Sequence, residues 1–191
     1  MSTSVERPGR LPAGPQLRRV GYDDPVAQLL VEAVQQEYVV RYGGRDAAVV
    51  DPAEFAPPLG LFLVAEVDGV PAGCGGWRVH AGDGRDGAVE LKRLYVEPAF
   101  RRRGLSTLLL AELERTAAGA GHREVLLNSG DRQPEALALY AREGYHHVPG
   151  YGVYADSPDA VFLGKDLGRD LGTVLGTDLS DDVEEGAAWA S

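Results

Sequence analysis

From Ala88 to Ala118 the chain reads AVELKRLYVEPAFRRRGLSTLLLAELERTAA: a β-rich run stopped at Glu97-Pro98, three consecutive arginines, a glycine, and a leucine-rich helical run. A strand that hands over to a helix in this way restricts the fold, because the helix must pack back on the sheet that the strand has joined. The junction also makes a site. The first-turn amides, about Arg102 to Thr107, lack intrahelical acceptors and sit at the positive end of the helix dipole, so a pyrophosphate placed there satisfies them. Gly104 lets the backbone approach the phosphates without a Cβ in the way. The pattern is neither a Walker loop, since no Gly-Lys-Ser/Thr follows, nor a dinucleotide fingerprint with spaced glycines. An exposed basic face, or a kinase-type recognition sequence around Ser106, is the alternative reading of RRRGLS.

The flanking segments extend the pattern. LRRV reads as a short strand, and Asp24 caps a helix that opens on Pro25 and ends by Gly43-Gly44. LFLVAEVDGVPAGCGGWRVH reads as a hairpin turning at Asp68-Gly69, with Gly73, Gly75 and Gly76 marking a bulge or a close backbone approach in its second strand. The Ala88–Val96 strand and a helix from about Gly104 to Ala118 come next. REVLLNS is then a strand, Pro134 opens a helix running to Gly144, and GYHHV and DAVFLGKDL are late strands. The order predicts a mixed α/β (α+β) sheet with one βαβ crossover.

Composition narrows what such a domain does. The 191 residues carry a formal charge of −10, which disfavours nucleic acid and anionic membrane as partners and makes the triple arginine a local feature. One cysteine, Cys74, excludes an intrachain disulfide and any multi-cysteine metal site, so a cytoplasmic protein without a metal is expected. The first residues lack an apolar core for export, and no apolar run approaches the roughly 20 residues of a membrane span. Residues 1–16 read as a flexible tail. The acidic segment 168–191 reads as a frayed helix or a disordered tail.

VEPAFRRRGLS, with Val96, Pro98, Arg101 and Gly104, resembles the pyrophosphate loop of the GNAT superfamily of acyl-CoA-dependent N-acyltransferases. Ser106 here replaces the family's last small glycine or alanine. QPEALALYAREGY resembles the family's second block, with Gln133 in place of asparagine and Tyr145 in place of phenylalanine. The two blocks in this order are more specific than either alone, and the resemblance spans residues 17–167. It implies the GNAT fold, a mostly antiparallel mixed sheet flanked by helices, and acetyl-CoA as acyl donor. It also implies cofactor contacts from Leu94, Tyr95, Val96, Arg101, Arg102, Arg103, Gly104, Leu105, Ser106, Thr107 and Gln133.

The implied chemistry needs a neutral amine, a polarised thioester carbonyl and a protonated leaving thiolate. The resemblance suggests pairing of the pantetheine arm with the backbone of Leu94 to Val96, an amide there, at Val96, facing the carbonyl, and Tyr140 as the acid that protonates the sulfur. Glu90 is the expected base; it is set against the reading that it is an ordinary strand-face carboxylate. Relatives that carry a glutamate on the next strand find Asn128 here, which cannot take a proton. Strict alternation puts Glu90, Lys92, Leu94 and Val96 on one strand face and Leu91, Arg93 and Tyr95 on the other. Tyr140 is expected to shape the high-pH limb of the rate profile and Glu90 the low-pH limb. Cys74 as a ping-pong nucleophile lacks an activating histidine, and His146 and His147 receive no role. Glu37, Tyr38, Tyr42, Tyr151 and Tyr154 either bind the acceptor or pack its loops. A primary amine of a small-molecule or peptide acceptor, attacking directly in a ternary complex, is the expected partner, with a small molecule favoured; homodimerisation stays open, and a non-catalytic acyl-CoA sensor or interaction module is the alternative.

Overall fold

The structure, a computed structural model, describes residues 14–48, 50–82 and 84–168. Residues 1–13 and 169–191, most of the two expected tails, lie outside them.

Seven strands form one sheet in the order β1-β2-β3-β4-β5-β7-β6. They are β1 (Gln16–Val20), β2 (Gly60–Val67), β3 (Val70–Val79), β4 (Ala88–Val96), β5 (Glu124–Gly130), β6 (His146–His147) and β7 (Ala160–Asp166). Five of the six pairings are antiparallel and only β4 with β5 is parallel, as the crossover requires. Helix α1 (Pro25–Tyr42) begins where expected: the Asp24 carboxylate accepts the Val26 N–H at 2.8 Å, and the helix ends at Gly43 in the left-handed region. Its buried stripe of Ala27, Leu30, Val31 and Val34 packs with Phe55, Phe62 and Val64 on one sheet face. Helix α2 (Leu105–Gly119) presents Leu105, Leu109, Leu110, Leu113 and Ala117 to the other face, where α3 (Pro134–Arg142) adds Leu139 and Tyr140. These spacings of three and four residues make each helix one-sided, so the sheet is covered on both faces.

Two features of β4 position the site. The strand pairs with β5 only from Ala88 to Leu91, although both strands continue, β4 to Val96 and β5 to Gly130. The sheet therefore forks, and beyond Leu91 the edge of β4 that faces β5 has no strand partner. The second feature is a bulge. Cys74 pairs with Tyr95 and Gly76 with Lys92, so Gly75 alone faces both Arg93 and Leu94. Arg93 has φ 59, uncommon for a residue with a side chain. A Cβ on Gly75 would lie 3.1 Å from Leu113 and 3.3 Å from Leu94, so this position suits a glycine.

The bulge corrects the expected alternation. Arg93 falls on the α1 side of the sheet with Glu90, Lys92 and Tyr95, while Val89, Leu91, Leu94 and Val96 pack toward α2 and α3. One extra residue reverses the period-two pattern for everything after it.

Candidate active site

A cavity of about 320 Å³ opens in the fork. Leu91 to Leu94 form one wall and Leu127 to Gly130 the opposite one. Gln133 and Tyr140 reach it from α3, Tyr38 and Tyr42 from α1, and Tyr154 from the segment that leads into β7. The missing strand pairing thus creates a groove bounded on one side by an unpaired β edge.

Beyond the end of β4 a single 3-10 turn, Pro98–Phe100, leads into the arginine loop. Arg102 (φ 61) and Gly104 (φ 79) both take left-handed backbone there. Leu108 N–H is the first to close a helical bond, to Gly104 C=O at 3.0 Å; the amides from Arg102 to Thr107 have no acceptor among the described residues. Such orphan donors at a helix start are the chemistry that an anion can satisfy. The three arginines divide their work. Arg101 donates from Nε to Val96 C=O at 2.7 Å, pairs with Glu37 and lies over the Tyr95 ring, so it fastens the loop to β4 and α1. Arg102 and Arg103 are exposed in the loop. Thr107 accepts from Arg142 at 2.9 Å, tying the end of α3 to the start of α2.

Of the expected acceptor residues, Tyr38, Tyr42 and Tyr154 line the cavity. Glu37 does not, being engaged with Arg101, and Tyr151 packs against Phe162 with ring centroids 5.0 Å apart. Leu94, Gln133 and Tyr140 line the cavity, whereas Tyr95 and Val96 lie outside its lining.

Tyr140 is buried beside Tyr145, with ring centroids 5.4 Å apart. Burial, with the nearby Tyr38 hydroxyl, holds its phenol well above the ordinary range, and burial likewise pushes Tyr38 up to about 12. A high-pH limb set by Tyr140 is accordingly expected at higher pH than an ordinary phenol would give.

Glu90 also departs from expectation. It is 6% exposed and absent from the cavity lining. Arg78 donates to one carboxylate oxygen at 3.0 and 3.1 Å, and Lys92 Nζ lies 2.7 Å from the other. Arg78 continues to Glu54, so four alternating charges run from the cavity-lining Lys92 to the 3-10 turn at Pro52–Phe55. A carboxylate engaged by cations on both oxygens reaches the cleft only through Lys92 and is poorly placed as a base. Replacing Glu90 with glutamine is accordingly expected to lower stability by about 2 kcal/mol, the scale of a lost charge-assisted bond, and to leave the low-pH limb of the rate profile in place. Thermal unfolding and a pH series on the same variant check both; disappearance of that limb would restore Glu90 as the base.

The carboxylates in the cleft wall are Asp46 and Asp159, which the sequence reading missed because both stand in aperiodic loops. Burial alone would raise the Asp46 carboxyl, but Arg93 and the Tyr154 hydroxyl outweigh it and hold Asp46 below its ordinary range. Asp159 is exposed and has no ion pair among the described residues. Cys74 is fully buried, its S–H faces Arg93 C=O at 3.4 Å, and burial pushes its thiol up, so it is no nucleophile. Among the described residues no group of three or more His, Cys, Asp or Glu gathers to hold a metal, and no helix is long and apolar enough to cross a membrane.

The family model described as Acetyltransferase (GNAT) family matches residues 27–145, which span α1, the fork, the arginine loop and α3. The chain belongs to the GNAT acetyltransferase family. It is 31% identical over 144 residues to the IAA acetyltransferase of Azospirillum brasilense, across 75% of this chain and 92% of the relative. In fold it is similar to a Klebsiella pneumoniae chain assigned to the acyl-CoA N-acyltransferases, with 27% identity and TM-score 0.66 over 81% of this chain and 98% of that one. It also resembles the PaiA N-acetyltransferase of Thermoplasma acidophilum, solved in complex with coenzyme A, at 17% identity and TM-score 0.60 over 81% and 99%. The GNAT assignment makes the protein an acetyltransferase.

Proposed function

We propose that the protein moves an acetyl group from acetyl-CoA to a primary amine of a small molecule, by direct attack in a ternary complex. The observation that carries this reading is that Leu94 and Tyr140 line the same cavity as Tyr38, Tyr42 and Tyr154. A donor side and an acceptor side therefore share one space.

The orphan amides of Arg102 to Thr107, with Arg102 and Arg103, hold the pyrophosphate at the start of α2. The unpaired edge of β4 beyond Leu91 takes the pantetheine arm as an added strand, and an amide of Leu94 to Val96 polarises the thioester carbonyl. Tyr140 gives its proton to the departing sulfur. Asn128 cannot act as base, and Asp46 is committed to Arg93 and Tyr154. The exposed Asp159 is left as the cleft carboxylate able to pair with a cationic ammonium. That carboxylate and the −10 charge favour cationic amines.

A panel of primary amines, assayed by release of CoA thiol, tests the reading. IAA, from the Azospirillum relative's name, is tested beside them. The expected result is turnover that saturates with acetyl-CoA and with at least one amine, and no acetyl-enzyme without acceptor. Acetyl-CoA binding with no turnover across a broad panel would overturn it in favour of a non-catalytic sensor.

A further inference from the structure

We propose that Arg93 and Asp46 are positioning residues: their buried ion pair holds the β4 bulge in the shape that aims its amides at the acyl carbonyl, and ties that shape to the acceptor-side loops. The proposal rests on the acetyl-CoA reading above and goes beyond it by naming what keeps the carbonyl-facing backbone in place.

A residue with a side chain in left-handed backbone costs about 1–2 kcal/mol, and the contacts of the Arg93 side chain are placed to offset that cost. Its guanidinium, with a side chain 3% exposed, pairs with the Asp46 carboxylate on the loop after α1. The other Asp46 oxygen accepts the Tyr154 hydroxyl at 2.6 Å and the Ala48 N–H at 2.9 Å. Tyr154 Oη in turn accepts the Ala47 N–H at 2.7 Å, and Asp46 N–H donates to the buried Gln35 of α1 at 2.9 Å. The Asp46 carboxylate thus joins β4 to the segment before β7, and the Asp46 main-chain N–H ties the same residue to α1. Arg93, Asp46 and Tyr154 all line the cavity. From the neighbouring strand β3, the Cys74 S–H donates to the Arg93 carbonyl at 3.4 Å. Leu94 follows Arg93 directly, so a turn of the Arg93 backbone turns the amides that follow.

A solely structural pair and a positioning pair give different results in a double replacement. Removing one member strands a buried charge, whereas replacing both with apolar groups of similar size restores stability. Arg93→Met and Asp46→Leu alone are expected to melt lower than wild type, and the double variant to bind acetyl-CoA and to regain part of the loss, since the Tyr154 hydroxyl and the Ala48 N–H still lack their Asp46 acceptor. The readout is the infrared carbonyl band of isotope-labelled acetyl-CoA, which a polarising amide moves to lower frequency. Wild type is expected to show this shift and the double variant to lose most of it. With an amine from the panel, its kcat is expected to fall by about 10²-fold, as for a reacting group misplaced by about 1 Å, with KM for acetyl-CoA unchanged. A double variant that keeps the full band shift and kcat overturns the proposal. Should that variant fail to fold, Asp46→Asn, which keeps an oxygen for Tyr154 and Ala48, decides by the same band: loss supports, retention overturns. Wild type that binds acetyl-CoA without a band shift overturns the positioning role alone. Wild type that shows no acetyl-CoA-induced rise in melting temperature overturns the acetyl-CoA reading, and the proposal with it.

Discussion

Replacing Tyr140 with phenylalanine is expected to lower turnover by about 10²–10⁴-fold, the range for a general acid whose proton transfer is fully expressed. Melting temperature and acetyl-CoA affinity should stay near native, because the ring and its packing on Tyr145 remain. In water a phenol near 10 is a reluctant donor to a thiolate whose acid is near 8.5. The cavity alters both sides of that comparison. Burial raises the Tyr140 phenol, and the same low-dielectric surroundings raise the proton affinity of a thiolate formed beside it. Since the raised phenol stays protonated throughout the assay range, the loss should be a constant factor between about pH 7 and 9 and not a moved limb. Parallel rate profiles of wild type and Tyr140→Phe, measured with saturating acetyl-CoA, check this. Near-native turnover in the variant would mean that water or the acceptor protonates the sulfur, and would leave Tyr140 as an aromatic packed beside the pantetheine arm.

The parts of this site that could be read from the sequence are those whose cause is local. Asp24-Pro25 fixes the start of α1, Asp68-Gly69 turns the first hairpin, and Pro98 with Gly104 brackets the anion loop. Each acts within a few residues, so its spacing is visible in one dimension. The bulge is different. The glycines that flagged irregularity, Gly73, Gly75 and Gly76, stand on β3, but the extra residue and the left-handed backbone belong to Arg93 on β4. Nothing in LKRLYV marks that position, and strict alternation placed Arg93 on the wrong face. Asp46 was equally hidden: it lies in a loop without periodicity, and its partner is 47 residues away. The surroundings of Glu90 were hidden for a related reason. Its place at the start of the strand and Lys92 on the same face were legible, but its other cation is set by strand register, with Arg78 opposite Glu90 across the β3–β4 ladder. Long-range pairing decides which carboxylates are free, and no single segment records it.

Gly104→Val is expected to abolish the rise in melting temperature that acetyl-CoA gives the wild-type protein, with affinity falling by about 10²-fold or more. That figure corresponds to losing two charge-assisted hydrogen bonds at the lower end of their usual 1.5–3 kcal/mol. Interior packing does not forbid the substitution, since a Cβ at Gly104 meets nothing within 4 Å. Two other effects do the harm. The position has φ 79, where a β-branched residue is strained, so valine either pays at least about 1–2 kcal/mol or rotates the cap and turns the amides of the first helical turn away from a common point. The open space at Gly104 is also the side from which phosphate oxygens approach the amides, and a branched side chain fills it. Gly104→Ala separates the two effects: it shares the backbone strain but adds only a methyl group, so loss of binding in both variants points to the turned amides, and loss in valine alone points to bulk. A folded Gly104→Val protein with an undiminished acetyl-CoA shift would show that the phosphates are held elsewhere, and the arginine loop would then revert to an exposed basic turn.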